Sequence, residues 1–590
     1  MIRCSIKLSS GFSNAVFFQR KITRSNVKLY VRNRRILCAS SARNSSTKAN
    51  VDPNNVYRSL HDDVDCATGA HLHDYVWQNL DKWADKTAAV CIVTGRSYTY
   101  AQLRKASGRL ATSLRKCNLN PGDTVAVVLP NVPEYAIVVF GASEAGIRLV
   151  PMSTAFTAYE IGIQLKNANA SAVVTTPSKY ATVATSVEGN REVKLPIIVV
   201  EDGSGEVPEG AIKFGDLTRE DVEEFEKTGE KTGTEPEDSM LLPLSSGSTG
   251  LPKIVELSHR NVVANLKQLS VKGVALSTAA TANWQENIPI ILPLYHIYGL
   301  IVNLNLSMTV GAKMQFIPQF SAEAFFKVLK EARPTQLYLA PPLIQLMVND
   351  PRMTKSHLES TKTLVCGAAP IGEEVITKYL KLAPSHTKIL QGYGLTECSP
   401  VVTMSTESPF VSVGKPIPNT DIRVVGFDDE NKGNNLSFDQ VGEIYVRGPQ
   451  VMKGYYNNPD ATAQCMEGDW LKTGDLGSVD KSGYLYIRGR LKELIKVQGY
   501  QVAPAEIEDL IQGHEKVAEA AVIGVPHEKY GEVPKAFVVT KKGVHLNPEE
   551  IKNWIAERLA KYKHLGHVQF VDKIPKNPAG KILRRELEKM

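Results

Sequence analysis

From about residue 70 the apolar positions of this chain switch repeatedly between two periods. Over 101–117, Leu103, Ala106, Leu110 and Leu114 recur at helical spacing, which predicts a helix with one buried face. Over 124–129 a short, continuously apolar run follows the turn residues Pro121-Gly122-Asp123 and predicts a buried strand. Further helices are expected over 72–83 and 131–146, and further strands over 172–176 and 196–200. Strands and helices alternating in this way imply a mainly parallel sheet covered on both faces. Residues 202–238 are rich in Gly and Glu and read as a surface excursion.

The alternation resumes with strands over 288–293, 313–318, 336–340 and 364–366 and a helix over 322–332. Ile389-Leu390 then leads into a glycine-rich stretch, and loops after strand ends are where open α/β sheets take ligands. From about 410, short alternating strands such as 421–425 and 442–446 predict a β subdomain. The last hundred residues change texture again, with helices over 502–512, 548–563 and 582–589 and strands over 520–524 and 535–540. The expected architecture is α/β. A large N-terminal domain over 60–488 holds mainly parallel sheets flanked by helices, with its β subdomain over 410–488. A smaller, mobile α+β lid over 491–590 is joined to it at a hinge over 489–490.

Charge changes the picture at one end. Of the 69 Lys and Arg, eleven fall in residues 1–50, which hold none of the 62 Asp and Glu. Residues 51–590 therefore carry 58 basic against 62 acidic side chains, which gives no case for nucleic-acid binding. The leader, Arg- and Ser-rich with no acidic residue, has the composition of a disordered mitochondrial transit peptide, so a mitochondrial matrix location is expected. The terminal Glu588-Lys589-Met590 is not a peroxisomal signal. No apolar stretch of the leader is long enough to span a membrane. The eight cysteines show no C-x-x-C pairing and suggest neither a disulfide framework nor zinc.

The chemistry centres on Leu244-Ser245-Ser246-Gly247-Ser248-Thr249-Gly250-Leu251-Pro252-Lys253. Hydroxyls, glycine backbone and a lysine together can cradle phosphate oxygens. It is not a Walker A loop: counting from Gly247, Pro252 stands at the second glycine and Ile254 at the magnesium-binding hydroxyl. A second stretch, Gln391-Gly392-Tyr393-Gly394-Leu395-Thr396-Glu397, offers an aromatic face, a hydroxyl and a hard oxygen ligand suited to Mg2+. Trp470-Leu471-Lys472-Thr473-Gly474-Asp475, Arg488-Gly489-Arg490, Gln498-Gly499-Tyr500-Gln501 and Pro575-Lys576-Asn577-Pro578-Ala579-Gly580-Lys581 follow in order.

In this order the motifs resemble those of the adenylate-forming superfamily, above all coumarate–CoA ligases and other acyl-CoA synthetases and, more distantly, firefly luciferase. The resemblance covers about residues 70 to 590. It implies that ATP, Mg2+ and coenzyme A are used to turn a carboxylic acid into an acyl-adenylate and then a thioester. It assigns Ser245, Ser246, Gly247, Ser248, Thr249, Gly250 and Lys253 to the phosphates. Gln391, Gly392, Tyr393, Gly394, Leu395 and Thr396 go to the nucleotide, Asp475 and Arg490 to the ribose, and Lys492, Gln501 and Lys581 to positions around the adenylate. Glu397 is implied as the metal ligand, with Lys581, His296, Thr249 and Glu397 as the catalytic set. Gln498 and Gly499 are implied along CoA. His296, Tyr298, Gly367, Ala368, Gly392 and Pro400 are implied around the acyl group. Two positions depart from the family's habit: Gly489 stands where an Asp or Lys hinge residue is usual, and Gln498 where Lys is common. A luciferase-like oxygenase or an enzyme loading a carrier protein would use the same adenylate; neither the acid nor the oligomeric state is legible.

Overall fold

The computed structural model describes residues 49–66, 69–188, 195–245, 252–369, 371–405, 409–428, 430–497, 500–577 and 580–590. The expectations for the leader therefore lie outside the described residues up to 48, while at its far end Asn50 is already in a short strand, paired antiparallel with Arg58.

The parallel core is divided among three sheets rather than gathered into one. The largest runs, in spatial order, through Lys253–Ser258, Ser239–Leu241, Arg148–Pro151, Thr124–Val127, Ala170–Thr175 and Ile197–Val199. A second joins Asn287–Ile290, Lys313–Phe316 and Thr87–Cys91 in parallel. A third sets Gln336–Leu339, Thr363–Cys366 and Lys388–Gly394 in parallel, so that residues 367–368 and 394–397 emerge at one end. The helix Glu134–Glu144, buried at every position, belongs to the main core, as its continuously apolar middle, Ala136–Ala142, requires. Its buried Glu134 accepts from Arg96 Nη2 at 3.1 Å and Tyr98 Oη at 2.9 Å.

The stretch 202–238 is more than an excursion. Phe214 and Phe225 are 4% and 3% exposed and anchor it in the core. Helix ends also fall short of expectation where chemistry cuts them. The first is Leu72–Trp77, followed by a separate 3-10 turn at Leu80–Lys82. The second starts at Glu134, after Pro133. In the C-terminal region Val502 belongs to the strand Tyr500–Val502, and the helix Pro504–Gln512 begins on its proline.

Residues 421–490 build an antiparallel sheet from Asp421–Val425, Gly442–Arg447, Trp470–Val479 and Leu485–Arg490. The final sheet comprises Ile495–Val497, Tyr500–Val502, Gly531–Thr540, Val517–His527 and His567–Phe570, with its own apolar core. Arg584 knots this last unit: Nε donates to Glu493 at 2.8 Å, Nη1 and Nη2 to the buried Glu508 at 2.5 and 3.1 Å. The knot lies three residues beyond Lys581 and fixes where that segment leaves the sheet. No described helix is long and apolar enough to cross a membrane.

Candidate active site

A cavity of about 540 Å³ opens where the third parallel sheet, the antiparallel sheet and the last unit meet. Among the described residues it gathers Ser245, Lys253, His296, Tyr298, Gly367, Ala368, Gly392, Tyr393, Gly394, Leu395, Thr396, Glu397, Pro400, Arg490, Lys492 and Lys581, all singled out from the sequence. Ser245 and Lys253 are direct antiparallel partners, so the two ends of the serine–glycine stretch stand side by side. Ser246, Gly247, Ser248, Thr249, Gly250, Gln498 and Gly499, and the Gln501 side chain, lie outside the described residues.

Two expected nucleotide contacts stand back from the cavity wall. The Gln391 amide donates to the Phe410 carbonyl, and its backbone N–H to Ser405 Oγ at 2.7 Å. Its stretch is also not a loop: Lys388–Gly394 is one strand, whose interior glycines leave no alternating pattern to read. Asp475, 6% exposed, has both carboxylate oxygens engaged, Oδ1 by Arg490 Nε at 3.0 Å and Oδ2 by Tyr393 Oη at 2.8 Å. A buried carboxylate needs such partners; they make it the brace that aligns Tyr393 and Arg490.

His296 closes the turn that starts at Pro293, its N–H on the Pro293 carbonyl at 3.1 Å, and a π-helical segment, Tyr298–Asn305, follows. His296 Nδ1 accepts the Tyr298 backbone N–H at 3.2 Å, which puts the ring proton on Nε2. Burial, and after it the Lys581 charge, pull the His296 pKa down to about 4, so the ring is neutral at physiological pH. The Tyr298 hydroxyl donates to the Val365 carbonyl at 3.2 Å. Val302, Val365, Val401 and Met404 add apolar side chains to the same lining. Ala368 holds φ +72°, an unusual left-handed conformation for a residue with a side chain, at the cavity edge.

Lys581 comes from the last unit. Its backbone is pinned by Asn577, whose Oδ1 accepts the Lys581 N–H at 2.8 Å while Asn577 N donates to the Lys581 carbonyl at 2.9 Å. Burial, then the neighbouring Arg490 charge, lower its pKa, against the pull of Asp475, Glu493 and Glu397. Gly489, beside Arg490, holds φ +146°, a value that L side chains rarely adopt, so this orientation of the joint suits a glycine.

Glu443, Cys465 and Tyr455 are among the lining residues that escaped the sequence reading. Glu443 accepts the Gly474 N–H at 3.1 Å, and burial raises its pKa. Cys465 arrives on the short helix Pro459–Cys465. Tyr455 donates to Glu397 Oε1 at 2.8 Å. Only long-range strand pairing brings Tyr455 here, so no local signal announced it. No group of three or more His, Cys, Asp or Glu fit to hold a metal occurs among the described residues. Magnesium is commonly held by one or two carboxylates plus substrate phosphates. Glu397, with Oε1 fixed by Tyr455 and lining the same cavity as Lys253, fits that mode.

The profile of the AMP-binding enzyme family matches residues 76–456, and that of the AMP-binding enzyme C-terminal domain matches 506–581. The chain belongs to the AMP-binding enzyme family. It is similar to 4-coumarate–CoA ligase 1 of Arabidopsis thaliana, at 34% identity over 540 residues, covering 90% of this chain and 94% of that one. It is 35% identical over 541 residues to 4-coumarate–CoA ligase 1 of Solanum tuberosum, covering 90% and 96%. Among solved structures, ATP-bound MatB from Rhodopseudomonas palustris superposes with a TM-score of 0.76 at 28% identity, covering 88% of this chain and 99% of that one. A benzoate CoA ligase from Burkholderia xenovorans LB400 gives 0.77 at 25%, with the same coverage. Within its family the chain is accordingly an AMP-forming acid–CoA ligase.

Proposed function

We propose that this ligase activates a monocarboxylic acid with an uncharged aryl or alkyl body, of the coumarate or medium-chain type, in the cavity between Lys253 and Met404. The observation that carries this reading is the entry of Lys581 into the cavity that is also lined by His296, Glu397 and the apolar Val302, Val365, Val401 and Met404. In the first half-reaction a carboxylate oxygen bonds to the α-phosphorus of ATP and the bond to the β-phosphate oxygen breaks. Lys253 and the serine–glycine stretch hold the departing pyrophosphate. Lys581 neutralises charge growing between the carboxylate and the α-phosphate, and His296 offers its Nε2–H to the acyl oxygen. Bound Mg2+, held through Glu397, would supply further charge neutralisation on the phosphates. In the second half-reaction the CoA thiolate bonds to the acyl carbon and AMP leaves. That step requires the lid to turn about 489–490, withdrawing Lys581 and bringing in the segment of Gln498 and Gly499.

The composition of residues 1–50 supports import into mitochondria; a fluorescent fusion of those residues that stays cytosolic would refute it. The catalytic reading is tested by pyrophosphate release from the purified protein against a panel of acids, with and without CoA. Release with uncharged aryl or alkyl acids, and thioester only when CoA is added, is expected. Release confined to dicarboxylic or cationic acids would overturn the proposed substrate class.

A further inference from the structure

We propose that Tyr455 is a positioning residue for the metal–phosphate end of this site, one side chain setting the relative placement of Lys253 and Glu397. This rests on the reading of Glu397 as the carboxylate that faces Mg2+. The Tyr455 hydroxyl donates to Glu397 Oε1 at 2.8 Å, while the Lys253 ammonium sits 4.6 Å from the centroid of the same ring. A phenol hydroxyl points outward in the ring plane, whereas a cation is drawn to the ring face. The two opposite charges are thus held along different directions of one rigid group, and they form no ion pair among the described contacts. Left to themselves, a lysine and a glutamate in a partly buried cleft attract strongly enough to pair and neutralise each other. Kept apart, one remains free for phosphate oxygens and the other presents its second oxygen, Oε2, to a cation.

The backbone around Tyr455 is built to hold this position. Gly454–Tyr455 is a short strand paired antiparallel with Lys253–Ser258, with Val255 opposite Tyr455. The Tyr455 N–H donates to Thr462 Oγ1 at 2.9 Å, and the Tyr456 N–H to the Ile254 carbonyl at 2.9 Å. The Met452 N–H donates to the carbonyl of Glu397 itself at 2.8 Å. The segment 452–456 is therefore stitched both to the strand that begins at Lys253 and to the turn that carries Glu397.

The test is Mn2+ binding, followed by electron paramagnetic resonance, to the full chain in the presence of an ATP analogue with a methylene bridge between the α- and β-phosphates. Tyr455→Phe keeps the ring face and loses only the hydroxyl. It is expected to weaken Mn2+ binding about tenfold, the scale of one hydrogen bond to a charged group, while metal-free binding of the analogue is unchanged. Tyr455→Leu loses the ring as well and is expected to weaken the metal-free analogue too. Glu397→Gln is the reference. If it loses Mn2+ affinity and Tyr455→Phe does not, the role of Tyr455 is overturned and the reading of Glu397 stands. If Glu397→Gln binds Mn2+ as the parent does, both are overturned.

Discussion

Gly580, one residue before Lys581, is where docking of the last unit is most exposed to a single methyl group. It holds φ +84°, and a Cβ built there stands 2.5 Å from Cγ and 2.7 Å from Cδ of Pro342, in the helix Pro341–Asn349 of the large domain. Non-bonded carbons pack at about 3.5–4.0 Å, so something must move. Gly580→Ala therefore has two effects. The left-handed backbone costs about 1–2 kcal/mol once a side chain is present, wherever the lid sits. The collision with Pro342, about 1–3 kcal/mol on the scale of overpacked cores, arises only in the docked position that puts Lys581 in the cavity. That second, differential part lowers the docked population about 5- to 150-fold. Acid-dependent pyrophosphate release is expected to fall by that factor, while conversion of supplied acyl-adenylate to thioester by CoA is nearly unchanged. Pro342→Ala deletes both colliding atoms and leaves only Cβ, at 3.8 Å. The double variant Gly580→Ala/Pro342→Ala should then recover the collision part of the loss. A Gly580→Ala protein that releases pyrophosphate at the parent rate, or a double variant no better than the single one, would refute this reasoning.

Two further outcomes follow from the buried groups. His296, with its pKa lowered from 6.5 to about 4 by burial and by Lys581, should stay neutral from pH 5 to 8. Because the unfolded chain takes up that proton first, His296 costs stability as pH falls from 6.5 towards 4. A ring-carbon NMR titration with a midpoint near 6.5 would contradict the burial argument. Arg584→Ala strands the buried Glu508 and should cost about 3–5 kcal/mol in the last unit. Faster amide exchange across Val517–His527 and Gly531–Thr540 is the readout, and parent-like protection there would contradict it.

Much of this fold could be read from periodicity because local preference and burial agree. The helix Tyr100–Lys116 appears where its apolar stripe said, and Thr99 and Gln102 close a capping box at its start. Asp421–Val425 falls as expected for the same reason. Reading failed where a tertiary contact replaces a pattern. Phe214 and Phe225 are single anchors in polar surroundings, and single anchors have no period. The helix expected over 548–563 stops at Ala556, after which a turn and the segment 561–563 lead into the strand His567–Phe570. Within the cavity, residues carried by compact motifs were legible, since glycine and hydroxyl spacing is a local signal. Tyr455 and Glu443 were not, because each reaches the cavity through strands paired far along the chain.

The central claim is that Lys581, delivered by the last unit, completes the adenylating site. Rapid-quench measurement of pyrophosphate without CoA tests it most directly, comparing the parent protein with Lys581→Ala at saturating ATP and acid. The parent should release a burst of about one pyrophosphate per chain, and the variant should form it about 10²–10³-fold more slowly, the scale of losing one oriented charge partner at the reacting oxygens. A burst of equal size and rate in both proteins would contradict the claim.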